Sequence, residues 1–266
     1  MQGSPVAIAL ALTLLAGLAT GIGSVLALFA RRTNTRFLSA ALGFSAGVMV
    51  YVSFVEILAK ARSGLVAELG ARPGSWAAVL AFFGGIGVTA LIDRLVPPAE
   101  NPHEVHRVEE MQGQPDPRLM RMGLFSAAAI AIHNFPEGIA TFLAALDDPH
   151  VGVSIAAAVA IHNIPEGIAV AVPVYYATGS RARAFSWSFL SGLSEPVGAV
   201  AAWMLLSGLP GYALKGALFA AVAGVMVFIS FDELLPTARE YGEHHLAVYG
   251  LTAGMAVMAA SLVLLQ

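Results

Sequence analysis

Two eight-residue segments hold the side chains best equipped for chemistry. His133-Asn134-Phe135-Pro136-Glu137-Gly138-Ile139-Ala140 and His162-Asn163-Ile164-Pro165-Glu166-Gly167-Ile168-Ala169 repeat one pattern with a single apolar exchange. In each copy a histidine precedes a glutamate by four residues, so on a helix both side chains share a face. Imidazole with carboxylate is a donor set for a divalent ion of borderline hardness. Zinc is such an ion, and iron, manganese, cobalt and cadmium fit the same ligand types, which do not rank them.

The surroundings of these segments sharpen that reading. Each lies near the middle of an apolar stretch long enough to cross a bilayer, where an ionised glutamate costs roughly 2.5–3.5 kcal/mol even on a lenient scale. A doubly charged cation between two such carboxylates offsets the cost. The two stretches are consecutive, hence antiparallel, so His133, Glu137, His162 and Glu166 can converge at mid-depth. Pro136 and Pro165 free the carbonyls of Ile132 and Ile161 from helical bonding, which is tolerated in a membrane where a cavity or ion takes up the freed group. Gly138 and Gly167 permit close helix approach. Asn134 and Asn163 sit about 100° round the helix from each histidine, where their oxygens suit a second, adjacent ion. The blander alternative is a pair of polar kinks hydrogen-bonded to each other, and the duplication argues against it.

Further candidates are more scattered. Glu195, followed by Pro196, is another carboxylate within an apolar stretch, placed either to complete the second site or to hydrogen-bond to the nearby serines. Glu56 and the pair Asp232 and Glu233 stand toward the ends of two other stretches, as accessory carboxylates along a cation path or as hydrated helix ends. His103 and His106 lie three apart in a polar, proline-containing loop. Asp147, Asp148 and His150, between the two central stretches, either gather cations at a mouth or form a plain polar turn.

The elements that position these residues follow from composition. The chain is 58% hydrophobic and only 12% charged, against about a quarter charged for a soluble domain. A net charge of -3 without a basic run gives no support for nucleic-acid binding. Cysteine is absent, so thiolate sites and disulfides are excluded. Stretches of about 20 apolar residues fall at 5–30, 37–60, 76–96, 122–145, 151–176, 184–208, 211–235 and 245–265. The expected architecture is all-α: a single polytopic membrane domain, residues 1–266, of eight transmembrane helices. Within it, 1–96 form a first three-helix repeat, 97–121 a cytoplasmic loop, 122–176 the central metal-binding pair, and 184–266 a second three-helix repeat. The first stretch lacks the basic start of a signal peptide and reads as a retained span.

Lysine and arginine placement orients the spans. With both termini outside, Arg31, Arg32, Arg36, Arg94, Arg107, Arg118, Arg121, Arg181, Arg183 and Arg239 face inward, and only Lys60, Arg62, Arg72 and Lys215 face outward. An internal repeat agrees. Ala46 to Leu58 reads AGVMVYVSFVEIL and Ala223 to Leu235 reads AGVMVFISFDELL, a constant offset of 177 residues (46 to 223). The second copy lies five spans beyond the first, so the copies cross the membrane in opposite directions. An inverted repeat with a 3+2+3 arrangement of helices is a transporter signature.

On these residues the chain resembles the ZIP (Zrt/Irt-like) divalent metal transporters, and within them the bacterial ZupT-like branch. The paired HNFPEGIA and HNIPEGIA segments carry the likeness, and the Glu195 region and span layout extend it over essentially the whole chain. The resemblance implies uptake of divalent cations into the cytosol across the cytoplasmic (plasma) membrane, with both termini outside. It implies a first metal site of His133, Glu137, His162 and Glu166, and a second of Asn134, Asn163 and Glu195 sharing the two glutamates, hence two ions. Homodimers and an elevator-like motion of the central helices are implied too. Some family members have an acidic residue where Asn163 stands. The family's loop between the third and fourth spans is often histidine-rich, whereas here only His103 and His106 fit. An enzyme is not expected: the protease pattern His-Glu-x-x-His is missing, and di-iron bundles use Glu-x-x-His rather than histidine four residues before glutamate. The partners expected are divalent ions, the lipid bilayer and a second copy of the chain. Beyond the transported ion no cofactor is expected.

Overall fold

Long apolar stretches leave the backbone no partner but itself in lipid, and helices are the solution. The computed structural model describes residues 4–29, 34–95, 117–208, 212–241 and 244–264, and among these all regular structure is helical. The elements are α1 (Pro5–Phe29), α2 (Thr35–Val52), α3 (Leu58–Leu69), α4 (Ala71–Leu95), α5 (Pro117–Asp147), α6 (Pro149–Thr178), α7 (Arg181–Gly192), α8 (Ser194–Gly208), α9 (Tyr212–Ile229), α10 (Leu235–Glu240) and α11 (His244–Leu264).

Several of these join end to end. A π-helical turn, Ser53–Ile57, carries α2 into α3, and a second, Ser230–Leu234, carries α9 into α10. Leu193 interrupts the rod formed by α7 and α8 just before Glu195. Seven described segments are long and apolar enough to cross a membrane: Pro5–Phe29, Thr35–Leu69, Ala71–Arg94, Pro149–Tyr175, Arg181–Leu206, Ala213–Glu240 and His245–Leu264. The 31-residue helix α5, which holds the first of the paired motifs, is not among the seven.

Local chemistry sets the ends. The Asn34 side chain accepts from the Phe37 amide (3.1 Å) to start α2. Asp148 caps α6 by accepting from His150 N (2.9 Å), and Ser180 caps α7 by accepting from Arg183 N (3.3 Å). Gly70, at φ +88°, ends α3, and Gly179, at φ +63°, ends α6, in backbone regions that other residues rarely adopt. The second span differs from expectation: its apolar stretch fades near residue 60, but the helix runs on to Leu69. Ala, Lys, Arg, Leu and Glu at 59–69 are strong helix formers, so polarity ends the apolar stretch without ending the helix.

The helices sort into two groups. α1, α5, α6, α7 and α8 pack on one another, while α2, α3, α4, α9, α10 and α11 form the other group, and the groups meet chiefly where α2 lies on α6 and α5 on α9. Helix α6 is the most enclosed of the seven segments, with 72% of its apolar window buried against 22% for α4. Trp76, Leu80, Phe83 and Leu91 on α4 stand exposed, a surface suited to lipid tails rather than water.

Candidate metal centre

Glu137 on α5 and Glu166 on α6 reach the same buried imidazole. His162 Nε2 lies 2.9 Å from Glu166 Oε1, one turn along its own helix, and 3.5 Å from Glu137 Oε1 across the helix pair. All three side chains are buried. Apart from His162, no donor among the described residues serves either carboxylate. Buried carboxylate oxygens without donors are strongly disfavoured unless a cation serves them.

Pro136 and Pro165 stand inside α5 and α6, and both helices continue through them. Each glycine that follows the glutamate sits against a neighbouring backbone. A Cβ at Gly138 would strike the carbonyl of Glu195 on α8, and one at Gly167 would strike the carbonyl of Thr20 on α1. The repeated glycine is therefore what lets α8 and α1 close on the central pair.

A second polar layer adjoins the first. The Asn163 amide donates to the Glu195 carboxylate and to the Ala16 carbonyl (2.9 Å), which turns its own Oδ1 away from both. Neither Asn163 Oδ1 nor any polar side-chain atom of Asn134 has a hydrogen-bond partner among the described residues, and both asparagines are fully buried. Glu195 opens α8, and its partner is Asn163 rather than the nearby serines. Ser191 and Ser194 donate instead to the Ser188 and Ser191 carbonyls.

Below the first layer lies a cavity of about 40 Å³, lined by His162, Pro165 and Glu166 from α6 together with Glu233, Thr237 and Tyr241. It has room for water. The accessory carboxylates thus part company: Glu233 is buried beside the histidine–glutamate cluster, whereas its neighbour Asp232 is exposed. Glu56 lies elsewhere, on the first π-helical turn, paired with Lys60 at 2.7 Å. Asp148 is a helix cap, the plain polar turn of the two alternatives, and Asp147 pairs with Lys60.

Some sequence candidates stay apart from this picture. The backbone of His133 lies in α5 one turn before Glu137, and its side chain falls outside the described residues, as do His103 and His106 altogether. Among the described residues no group of three His, Asp or Glu side chains is arranged to hold an ion as it stands. Sequence reasoning missed the Asn163 bond to the Ala16 carbonyl, because nothing in the first span marks a main-chain acceptor. It missed the pairing of Lys60 with Asp147, although their shared outer placement and opposite charge were there to be read.

Helical spans with buried carboxylates, imidazole and amides between them define a polytopic membrane protein with a buried polar cluster. The sequence profile of the ZIP Zinc transporter family matches residues 95–262. Proteins named zinc transporter ZupT align over nearly the whole chain. That of Lysinibacillus sphaericus is 60% identical over 269 residues, covering 100% of both chains. That of Chlorobium phaeovibrioides is 61% identical over 259 residues (97% of each). That of Streptococcus mutans is 58% identical over 253 residues, 95% of this chain and 96% of its own. The chain belongs to the ZIP family, a family of transporters, and within it to the ZupT-like branch.

Proposed function

We infer that the chain carries divalent cations, zinc foremost, across the cytoplasmic membrane into the cytosol. The observation that carries this reading is the convergence of Glu137, His162 and Glu166 from two helices at a buried point. The names of the relatives support zinc as the cargo. Iron, manganese, cobalt and cadmium satisfy the same ligands.

The layout is eight spans in a 3+2+3 order, counting α5 as the fourth, with both termini outside. His133, Glu137, His162 and Glu166 form the first site. Asn134, Asn163 and Glu195, sharing the two glutamates, form the second, so that two ions are held. A hydrated cation reaching the pair exchanges water for imidazole and carboxylate oxygens. Its two positive charges cancel the two glutamates, and the loaded cluster crosses the apolar interior at lower cost than the empty one. The group of α1, α5, α6, α7 and α8 then moves against the remaining helices, exposing the ion to the other side. Release runs past Glu233 and the exposed Asp232. Protonation of the emptied ligands assists it, because metal ligands must be deprotonated. The working unit is a homodimer.

The test is radiolabelled zinc uptake into proteoliposomes. Glu137→Ala combined with Glu166→Ala abolishes saturable uptake while the protein still folds and inserts. Uptake at the normal rate by that variant overturns the site.

A further inference from the structure

The geometry points to Lys60 as a tethered competitor for the entering cation: its ammonium occupies the carboxylates of Glu56 and Asp147 at the outer mouth, and a divalent ion passes inward by displacing it. The inference rests on the transport reading above and on the outward placement of Lys60.

Lys60 Nζ stands 2.7 Å from Glu56 Oε1 and 2.7 Å from Asp147 Oδ2. Glu56 and Lys60 belong to the continuous rod of α2 and α3, whereas Asp147 is the last residue of α5. One ammonium therefore ties together the two groups of helices that alternating access must separate. The side chains of Lys60 and Asp147 are 42% and 49% exposed. Exposed ion pairs hold weakly and are screened by salt, which suits a contact made and broken in each cycle. Beside it lies a cavity of about 320 Å³ between the groups, lined by Lys60, Gly64, Lys215 and Phe219 on one side and Leu143, Asp147 and Leu206 on the other. A hydrated ion fits in such a space.

The internal repeat makes the role of the lysine specific. At the offset of 177 residues, Ser53–Ile57 corresponds to Ser230–Leu234, and both are π-helical turns. Such turns recur at functional sites because the extra residue re-aims a side chain. Glu56 corresponds to Glu233, and Lys60 corresponds to Thr237. Thr237 and Glu233 line the small cavity below His162 and Glu166. The two halves thus present a glutamate on the same backbone deformation, followed one turn later by a cation on the outer side and a neutral hydroxyl on the inner. A fixed ammonium at one mouth makes an arriving ion compete for the carboxylates. A threonine at the other offers no such competition.

The chain has no native cysteine, so Lys60→Cys can be altered chemically in place. In proteoliposomes the KM for zinc falls about fivefold, the fold-change that corresponds to one exposed ion pair, while kcat stays within about twofold. An aminoethyl thiosulfonate, which restores an ammonium, returns the KM to the wild-type value, and a sulfonatoethyl reagent does not. A KM unchanged in Lys60→Cys, or equal responses to the two reagents, overturns the inference. A second readout needs no transport. In the wild-type protein, acylation of Lys60 by a membrane-impermeant amine reagent, followed by peptide mass analysis, speeds up when zinc is added at constant ionic strength. An unchanged or slower rate overturns the displacement step. Faster acylation in a protein that carries no zinc across the bilayer supports displacement and counts against the transport reading instead.

Discussion

Glu137 Oε1 and His162 Nε2 stand 3.5 Å apart on different helices, and the same nitrogen is 2.9 Å from Glu166 Oε1. One imidazole is thus shared by a carboxylate of its own helix and one of the neighbouring helix. On the proposed function these three groups act on one ion, and their contributions are not separable.

Non-additivity follows. Glu137→Gln and Glu166→Gln each reduce the initial rate of zinc uptake by at least about tenfold, and the double variant is slowed far less than the product of the two effects, because either change already spoils the shared site. Uptake kinetics over a range of zinc concentrations in proteoliposomes measure this. Independent, multiplicative losses would place the two glutamates at separate sites.

The paired glycines predict a stability effect. Gly138→Ala and Gly167→Ala each drive a methyl group into a backbone carbonyl, of Glu195 and Thr20 respectively, and overpacking of this kind costs about 1–3 kcal/mol. Gly84→Ala is the matched control, since a Cβ there meets nothing within 4 Å and alanine favours the helix by up to about 1 kcal/mol. Thermal unfolding of the purified protein should show lower midpoints for the first two and an equal or higher one for the third.

Much of the centre was legible in the sequence for a simple reason. Burying His162, Asn163 and Glu166 in an apolar span is so costly that their presence already implied a common partner, and the glycine after each glutamate already implied a close neighbour. Seven of the eight expected span positions were equally plain from apolar runs, the stretch at 122–145 being the exception. What escaped arises from packing between distant segments. No residue in Ser53–Ile57 or Ser230–Leu234 has a preference for a π-helical turn, whereas the break at Leu193, flanked by Gly192 and Pro196, did carry a local signal that went unused. Likewise Asp232 and Glu233, adjacent and chemically alike, are separated only by which side of the helix meets α6. The helix past residue 60 escaped because apolar runs report the lipid boundary, not the end of hydrogen bonding.

The Asn163 amide links the second layer to the first helix. Asn163→Ala removes donors from the Glu195 carboxylate and the Ala16 carbonyl; the carbonyl keeps its place in the α1 hydrogen-bond ladder, whereas the buried carboxylate is left unsatisfied at about 1–3 kcal/mol. Glu195→Ala added to it recovers part of that loss, since the abandoned carboxylate is gone. A double-mutant cycle on thermal stability gives a coupling energy of at least about 0.5 kcal/mol. A coupling of zero would mean that the two side chains do not depend on each other.

Glu233 and Asp232 give the sharpest kinetic contrast. Glu233 lines the cavity that also borders His162 and Glu166, so it stands where an ion leaving the central pair inward would next find an oxygen. Losing its negative charge and one of its two oxygens raises the barrier to departure without touching the first encounter outside. Glu233→Gln therefore lowers kcat for zinc uptake about tenfold, a change of about 1.4 kcal/mol in the barrier, with KM unchanged or lowered. Asp232→Asn, one residue away but exposed, lowers kcat less than Glu233→Gln does, because water supplies oxygen ligands around it. The comparison is made in one vesicle preparation at matched protein density. A raised KM with normal kcat in Glu233→Gln would put this carboxylate on the path of capture instead of release.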